Sequence, residues 1–280
     1  MAQSKDTKNN MVYNLEKVCN QARAVVIETG AFIRRERLSF DPSKVEYKSA
    51  HDLVSYVDKT AEMQLVAGLE PLVPGCGFIT EEDGTRPVGE VYNWIIDPLD
   101  GTTNFIHGIP CFCISIALQR GDQVVLGIVY EINLDECFYA WEGSAAYLNE
   151  QEIRASKTSD LERALLATGF PTLDYNRLDE YMEVFKHCMK HTRGLRRLGS
   201  AAADLAYAAC GRLDGFFEYA LNPWDVAGGA FILQQAGGTV TDFSGGDNYV
   251  FGREIVATNS HIHPAFLAVM RMYFQEGKKA

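Results

Sequence analysis

The segment at residues 94–104, WIIDPLDGTTN, constrains the fold most, because an apolar strand ends there in two acids. Pro98 fixes its own φ angle and lacks an N–H group, so the backbone is expected to bend at this point. Asp97 and Asp100 then project from a strand end and a bend, where both carboxylates can meet a hard cation. Capping of the following helix would explain Asp100 as well as cation binding does. Capping does not explain Asp97, whose carboxylate at a buried strand end would then have no partner.

The residues after Asp100 are predicted to form an anion site. Gly101 permits a tight turn, and Thr102 and Thr103 are expected to open a short helix that ends near residues 107–108. The backbone N–H groups of these three residues, at the start of a helix, can bind an anion such as a phosphate group. Carboxylates beside such a helix start are compatible only if cations lie between them.

Two other acidic positions fit the same pattern. Glu81 ends the apolar run of residues 77–80, although a Glu-Glu-Asp sequence is more often a solvated loop. Asp225 lies in the first turn of the predicted helix NPWDVAGGA, whose other residues are mostly small and apolar. The simpler explanation for an acid at this position is its favourable interaction with the helix dipole. An acid at the head of so apolar a helix is expected to lie deep in the protein and to need a partner.

Composition bounds the functional classes. The chain has 280 residues, of which 47% are hydrophobic, and its net charge of −11 disfavours nucleic acid as a partner. No apolar run approaches the ~18 residues that span a bilayer. The first ten residues are polar and lack the apolar region of a signal peptide, so a cytoplasmic protein without a membrane partner is expected.

The order of predicted elements indicates a mixed, layered α/β fold rather than a Rossmann repeat or a barrel. A single compact unit over residues 1–280 is expected, with a seam between halves 1–152 and 153–280. Helices are predicted at residues 11–37, 58–72, 175–191, 201–210, 222–235 and 263–273. Strands are predicted at residues 77–80, 92–96, 112–119, 124–130, 136–141, 165–168, 216–219, 239–243 and 254–257.

Residues 94–104 and 224–229, with Glu81-Glu82 upstream, resemble the signature motifs of the inositol monophosphatase family in order and separation. The resemblance extends from about residue 11 to residue 275. It implies a layered αβαβα sandwich of the sugar-phosphatase type, Mg²⁺-dependent and Li⁺-sensitive hydrolysis of a phosphate monoester, and a homodimer. Inositol monophosphate is the substrate expected from the resemblance.

The resemblance also implies a set of metal ligands. Glu81, Asp97 and the backbone carbonyl of Leu99 would bind a first Mg²⁺ ion. Asp97, Asp100 and Asp225 would bind a second ion, and Glu81 would reach a third. Two or three Mg²⁺ ions per active site are therefore expected, and oxygen donors of this kind are the ligands that Mg²⁺ prefers.

Catalytic and substrate-binding roles follow from the same resemblance. A water molecule held by Thr102 and Glu81 would be the nucleophile, and Asp58 would polarise the Thr102 hydroxyl. Glu218 would bind hydroxyl groups of the substrate. Residues 169–171 depart from animal members, which carry a serine pair there, and this departure leaves the preferred polyol open. The complete expected substrate set is Asp100, Gly101, Thr102, Thr103, Ser200, Ala201, Glu218 and Asp225.

Three alternatives stay open at this point. A related phosphatase could act on fructose 1,6-bisphosphate, NADP, a nucleotide bisphosphate or histidinol phosphate, and Arg193, Arg196 and Arg197 could receive a second phosphate. A regulatory protein of the same fold could bind RNA machinery instead of catalysing a reaction. A general Ca²⁺- or Mg²⁺-binding module is the third alternative, but the sequence contains no EF-hand loop.

Overall fold

The computed structural model describes residues 13–40, 46–49, 52–171 and 174–274, with backbone alone at 46–49 and 52–54. The helices are α1 (Leu15–Leu38), α2 (Tyr56–Leu69), α3 (Thr102–His107), α4 (Leu178–His191), α5 (Ala201–Ala209), α6 (Pro223–Gln235) and α7 (His263–Tyr273). The first strands are β1 (Glu46–Ser49), β2 (Asp52–Val54), β3 (Gly77–Thr80), β4 (Tyr92–Asp100), β5 (Cys113–Arg120), β6 (Gln123–Glu131) and β7 (Glu136–Trp141). The remaining strands are β8 (Ala146–Leu148), β9 (Gln151–Ile153), β10 (Leu165–Thr168), β11 (Gly194–Arg196), β12 (Gly215–Tyr219), β13 (Gly238–Thr241) and β14 (Glu254–Asn259).

Two large sheets organise the chain. The first has seven strands in the order β3-β4-β5-β6-β7-β8-β9 and is antiparallel except for the parallel β3–β4 pair. The second has five strands in the order β11-β10-β12-β14-β13, with β10 parallel to both of its neighbours. The strands of the first sheet lie within residues 77–153 and those of the second within residues 165–259. The expected boundary between residues 152 and 153 lies inside β9, the last strand of the first sheet, and the number of independent domains stays a prediction.

Five layers result from the burial of the sheet faces. The central strands β4 and β5 are buried on both faces, so each face of the first sheet needs a cover. Helices α1 and α2 cover one face, and α5 and α6 cover the other and also contact the second sheet. Helices α4 and α7 cover the outer face of the second sheet. The observed αβαβα sandwich confirms the predicted fold class.

Close backbone contact fixes α6 on the first sheet. A Cβ atom added at Gly127 of β6 would lie 2.5 Å from the carbonyl oxygen of Gly228 on α6, so neither strand nor helix could keep its place with a larger residue at Gly127. The Ser115 hydroxyl of β5 donates to the carbonyl oxygen of Trp224 at 3.1 Å, which places the first turn of α6 beside the residue of β5 that pairs with Asp97.

Differences from the predicted elements are local. Strand β4 continues past the expected end at residue 96 to Asp100, with an irregular register against β5 between Asp97 and Asp100. Pro98 lies inside that irregularity, where the ladder needs no N–H donor, so the strand bends without ending. Helix α2 begins at Tyr56 rather than at residue 58, because the side chain of Ser55 caps it. Residues 11 and 12 of the first predicted helix lie outside the described ranges.

None of the helices in the described ranges is long and apolar enough to cross a membrane.

Candidate active site

A cavity of about 480 Å³ lies where the ends of β3 and β4 meet the starts of α5 and α6. Its volume lies within the range of about 300–1,000 Å³ that is usual for small-molecule sites. Predicted site residues from both halves of the chain meet there. The lining residues are Glu81, Asp100, Gly101, Thr102, Thr103, Gly169, Phe170, Pro171, Arg197, Gly199, Ser200, Ala201, Asp204, Glu218, Tyr219, Ala220, Leu221, Asn222, Asp225 and Arg253.

Asp97 lies beneath the floor of this cavity and is only 2% exposed. Its Oδ1 atom accepts a hydrogen bond from the backbone N–H of Leu99 at 2.9 Å. Burial, followed by the negative charges of Glu81, Asp100 and Asp225, raises the pKa of Asp97 well above its ordinary value. A hydrogen bond between the carboxyl groups of Asp97 and Glu81 raises the pKa of Asp97 further.

Asp100 is held by the start of α5. Its Oδ2 atom accepts hydrogen bonds from the Ser200 hydroxyl and the Ala202 N–H group, both at 2.7 Å. Burial raises the pKa of Asp100 to about 6, although these two hydrogen bonds and Arg197 act in the opposite direction. Ser200 therefore positions Asp100 with its side chain, and it also caps α5 by accepting a hydrogen bond from Ala203 N.

Asp225 enters the cluster from α6. Its Oδ2 atom accepts a hydrogen bond from the backbone N–H of Asn222 at 2.7 Å, the reciprocal half of a capping box at the helix start. Burial and the charges of Asp100 and Glu81 raise the pKa of Asp225 well above its ordinary value. The sequence left a helix-start role and membership of the acidic cluster as alternatives for Asp225, and this one side chain both caps the helix and lies among the acids.

The Thr102 hydroxyl lies between two acceptors. It is 3.1 Å from Oδ1 of Asp58 and 3.0 Å from the carbonyl oxygen of Leu99, and its single proton can be donated to only one of them at a time. Asp58 is 1% exposed, and its Oδ2 atom accepts hydrogen bonds from the N–H and hydroxyl groups of Ser55. With its proton so engaged, Thr102 can offer an oxygen lone pair to the cavity.

Glu218 of β12 lies on the opposite wall. It is 8% exposed, and burial raises its pKa well above the ordinary value, with Arg197 opposing the shift. A Cβ atom added at Gly169 would lie 2.1 Å from the Glu218 carboxylate. Gly169, in the segment 169–171 that differs from animal family members, therefore makes room for the Glu218 carboxylate. Of the three arginines considered for a second phosphate, Arg197 lines the cavity, whereas Arg193 and Arg196 do not.

The donor chemistry suits a hard cation, but the ligands do not form a closed shell. Among the described residues, no three His, Cys, Asp or Glu side chains are arranged closely enough to hold a metal ion. Hydrogen bonds with Leu99, Ser200 and Asn222 engage one oxygen of Asp97, Asp100 and Asp225, respectively. Buried acids whose pKa values rise through mutual repulsion fit a divalent cation, because its charge would remove that repulsion.

Two polar residues that support the site were not predicted. Glu62 of α2 is 2% exposed and accepts hydrogen bonds from the N–H groups of Glu82 and Asp83, which fixes the loop that follows Glu81. Asn104 donates to the carbonyl oxygens of residues 111 and 198 and so ties α3 to the loop before α5. Neither residue has a local sequence signature, and their partners are known only from the fold.

The five-layer fold and its acid-lined cavity are those of a sugar-phosphatase type of protein, and comparison of the sequence with known families identifies the family. The sequence model of the inositol monophosphatase family matches residues 14–274. The chain therefore belongs to the inositol monophosphatase family, as its motifs predicted.

Similar proteins carry two kinds of name. The chain is 38% identical over 258 residues to Nus factor SuhB of Escherichia coli K12, covering 92% of this chain and 97% of that protein. It is 37% identical over 246 residues to an inositol-1-monophosphatase of Mesorhizobium japonicum, covering 88% and 92%. The crystal structure of the extragenic suppressor protein suhB from Bartonella henselae matches with a TM-score of 0.85 at 37% identity, covering 93% of this chain and 99% of that one.

Proposed function

We propose that this chain is a Mg²⁺-dependent phosphatase that hydrolyses a small polyol phosphate, with inositol monophosphate as the favoured substrate. The observation that carries the proposal is the group of like-charged carboxyl groups, contributed by distant segments, that gathers at one cavity. Such a group is unfavourable unless a cation binds there. Family membership and the inositol-1-monophosphatase of Mesorhizobium japonicum support the same reaction class.

The cations would be held by oxygen donors of the first sheet and of α6. These donors are the carboxylates of Glu81, Asp97, Asp100 and Asp225 and the carbonyl of Leu99. Bound Mg²⁺ supplies charge for the phosphate oxygens and lowers the pKa of a water molecule. Because the pKa of Asp97 is raised and a cation binds the ionised carboxylate, cation affinity should rise with pH.

The Thr102 hydroxyl would orient the attacking water. When its proton is donated to Asp58, the oxygen of Thr102 accepts a hydrogen bond from water in the cavity. Asp58 is fixed by Ser55 at the start of α2, so the direction of the Thr102 lone pair is set before substrate binds. Such prior alignment lowers the entropic cost of bringing nucleophile and phosphate together.

Substrate would lie across the cavity from the first sheet to the second. Gly101, Thr102 and Thr103 would receive the phosphate, and Ala201 and Glu218 would receive the alcohol part. Arg197 and Arg253, which also line the cavity, add positive charge for an anionic ester.

Release of inorganic phosphate from myo-inositol 1-phosphate tests the proposal directly. Activity with millimolar Mg²⁺, and its loss with excess EDTA, are expected. Fructose 1,6-bisphosphate, NADP and histidinol phosphate in the same assay rank the alternative substrates by kcat/KM. Absence of Mg²⁺-dependent activity on every ester in this set would refute the enzymatic proposal. Inhibition by millimolar Li⁺ and a dimeric mass in light scattering are further expectations.

A regulatory role is the second candidate, because the relative from Escherichia coli is named a Nus factor. The two roles need not exclude each other, and an inactive variant separates them. If Asp97→Asn removes phosphatase activity but restores the growth or transcription phenotype of a strain lacking the protein, the regulatory role is independent of catalysis. If only the active protein restores the phenotype, hydrolysis is the function that matters in the cell.

A further inference from the structure

Asp204 is an acid in a helix that otherwise buries small and apolar residues. The other buried residues of α5 are alanines and a leucine, yet Asp204 is only 2% exposed. Its Oδ1 atom has no hydrogen-bond partner among the described residues. The residue lines the cavity, and its Oδ1 atom, which is itself buried, receives no donor from the described residues of the protein.

Structural roles do not account for this acid. Ser200 already caps α5, and the Asp204 N–H group is used by the Ser200 carbonyl. Asp214, in the same half of the chain, is an acid with a structural role and serves for comparison. Its Oδ1 atom accepts from Ser156 and its Oδ2 atom from the N–H of Leu165, and it does not line the cavity.

The neighbours of Asp204 give the chemistry of the position. Burial, followed by the negative charges of Glu218 and Asp100, raises the pKa of Asp204 well above its ordinary value, and Arg197 opposes the shift. Glu218 is fixed against Gly169, where a Cβ atom would lie 2.1 Å from its carboxylate. Asp204, Glu218 and Arg197 line the same cavity, and both acids are buried.

We propose that Asp204, together with Glu218, binds hydroxyl groups of the alcohol part of the substrate, and that Asp204 determines specificity for polyol monophosphates. The inference rests on the proposed phosphatase function and extends it. A hydroxyl group can donate to a carboxylate or accept from a neutral carboxyl, so it suits this pair in either protonation state. A second phosphate would be repelled there when either carboxyl group is ionised. The subsite thus favours polyol monophosphates over bisphosphates and over esters without hydroxyl groups.

The test compares two esters that share the phosphate but differ in the alcohol. In Asp204→Ala, kcat/KM for myo-inositol 1-phosphate is expected to fall about 10- to 100-fold, the usual effect of losing a hydrogen bond to a charged group. The value for 4-nitrophenyl phosphate, which offers no hydroxyl donor, should change less than about twofold. Equal losses on both esters, or no loss on either, would overturn the assignment.

Two further variants distinguish loss of the hydrogen bond from loss of folding. Asp204→Asn keeps the volume and one acceptor oxygen, so it should retain part of the preference for the inositol ester. Asp214→Ala is the matched control, and it should lower thermal stability and affect both esters equally. If Asp204→Ala does not fold, the ratio of the two kcat/KM values in Asp204→Asn decides: a ratio equal to that of the wild type contradicts the proposal.

The experiments distinguish an error in the proposal for Asp204 from an error in the proposed phosphatase function. If the wild-type protein hydrolyses neither ester, the phosphatase function is wrong, and binding still tests the subsite. In that case myo-inositol 1-phosphate with Mg²⁺, at the same subsaturating concentration for each protein, should raise the unfolding temperature of the wild type and of Asp214→Ala more than that of Asp204→Ala. An equal rise in all three would exclude a role for Asp204 in binding.

Discussion

Replacing Asp97 with asparagine should have opposite effects on stability with and without Mg²⁺. Asparagine keeps the shape of the side chain and an Oδ1 acceptor for the Leu99 N–H group, 2.9 Å away in the wild type. It removes one negative charge from a buried position that faces Glu81, Asp100 and Asp225. The variant therefore isolates the charge of Asp97 from its packing.

The expected magnitude follows from the electrostatics of the cluster. Two unit charges about 5 Å apart repel by about 3 kcal/mol at an effective dielectric constant of about 20. Because burial and these charges raise the pKa of Asp97, protonation relieves part of this repulsion when no cation is bound. We expect cation-free Asp97→Asn to be more stable than the wild type by about 1–3 kcal/mol. This gain would raise Tm by several degrees, at about 2–4 °C per kcal/mol.

The pH dependence has a definite sign. Folding raises the pKa of Asp97, so ionisation of this group destabilises the folded state as pH rises above the unfolded value. The advantage of the variant should therefore be absent near pH 4, the ordinary range of an aspartate, and should grow as the solution becomes more alkaline.

Thermal unfolding in EDTA and then in a Mg²⁺ titration measures both effects. Mg²⁺ should stabilise the wild type strongly and the variant little, so the order of Tm values reverses, and phosphate release by the variant should be lost. Asp122→Asn, in an exposed turn, is the control and should behave as the wild type. A variant that is less stable than the wild type in EDTA, or one that keeps the full response to Mg²⁺, would refute the reasoning.

Three other substitutions test the supporting structure. Thr102→Val removes the hydroxyl that reaches Asp58 and should lower kcat about 100-fold or more with little change in KM, as measured by steady-state kinetics. Glu62→Ala releases the loop after β3 and should weaken Mg²⁺ binding about 10- to 100-fold in calorimetric titration. Gly101→Ala, at a φ of +94° with carbonyl oxygens 3.0 and 3.2 Å from the new Cβ, should destabilise by about 1–3 kcal/mol in thermal unfolding.

Each of these predictions has a matched control. Thr102→Ser keeps the hydroxyl and should retain most activity, and Glu62→Gln keeps one acceptor oxygen and should bind Mg²⁺ better than the alanine variant. Gly121→Ala also has a positive φ, but nothing lies within 4 Å of the new Cβ, so it should cost less than Gly101→Ala. If a variant and its control show equal effects, the group tested is not the cause of the change. That group is the hydroxyl at Thr102, the carboxylate at Glu62 and the close contact at Gly101.

The sequence predicted those parts of the molecule whose signal is local. Asp97, Asp100 and Asp225 stand at the ends of apolar elements, where a carboxylate is conspicuous, and the order of elements was sufficient for the layered fold. Glu62 and Asp204 are single acids inside helices, and their importance depends on backbone groups or carboxyl groups far along the chain. No periodicity can reveal such partners.

Short strands escaped prediction for a related reason. Strands β8, β9 and β11 have three residues each, too few to show an alternating pattern, and they exist because neighbouring strands supply hydrogen-bond partners. The extension of β4 through Pro98 was missed because an irregular register can absorb a proline that a regular ladder cannot.

The middle helix layer has a consequence for how the chain is made. The first sheet is complete at residue 153, but its inner face is covered by α5 and α6, which end at residue 235. The core residues Val129 and Phe138 on that face belong to the same cluster as Leu205 and Val226 of the two helices. A ribosome that has finished the first sheet therefore still holds a chain with a bare apolar face and no Asp225. Newly made chains should need protection from aggregation over that interval, and the ability to bind Mg²⁺ should arise only when synthesis is nearly complete.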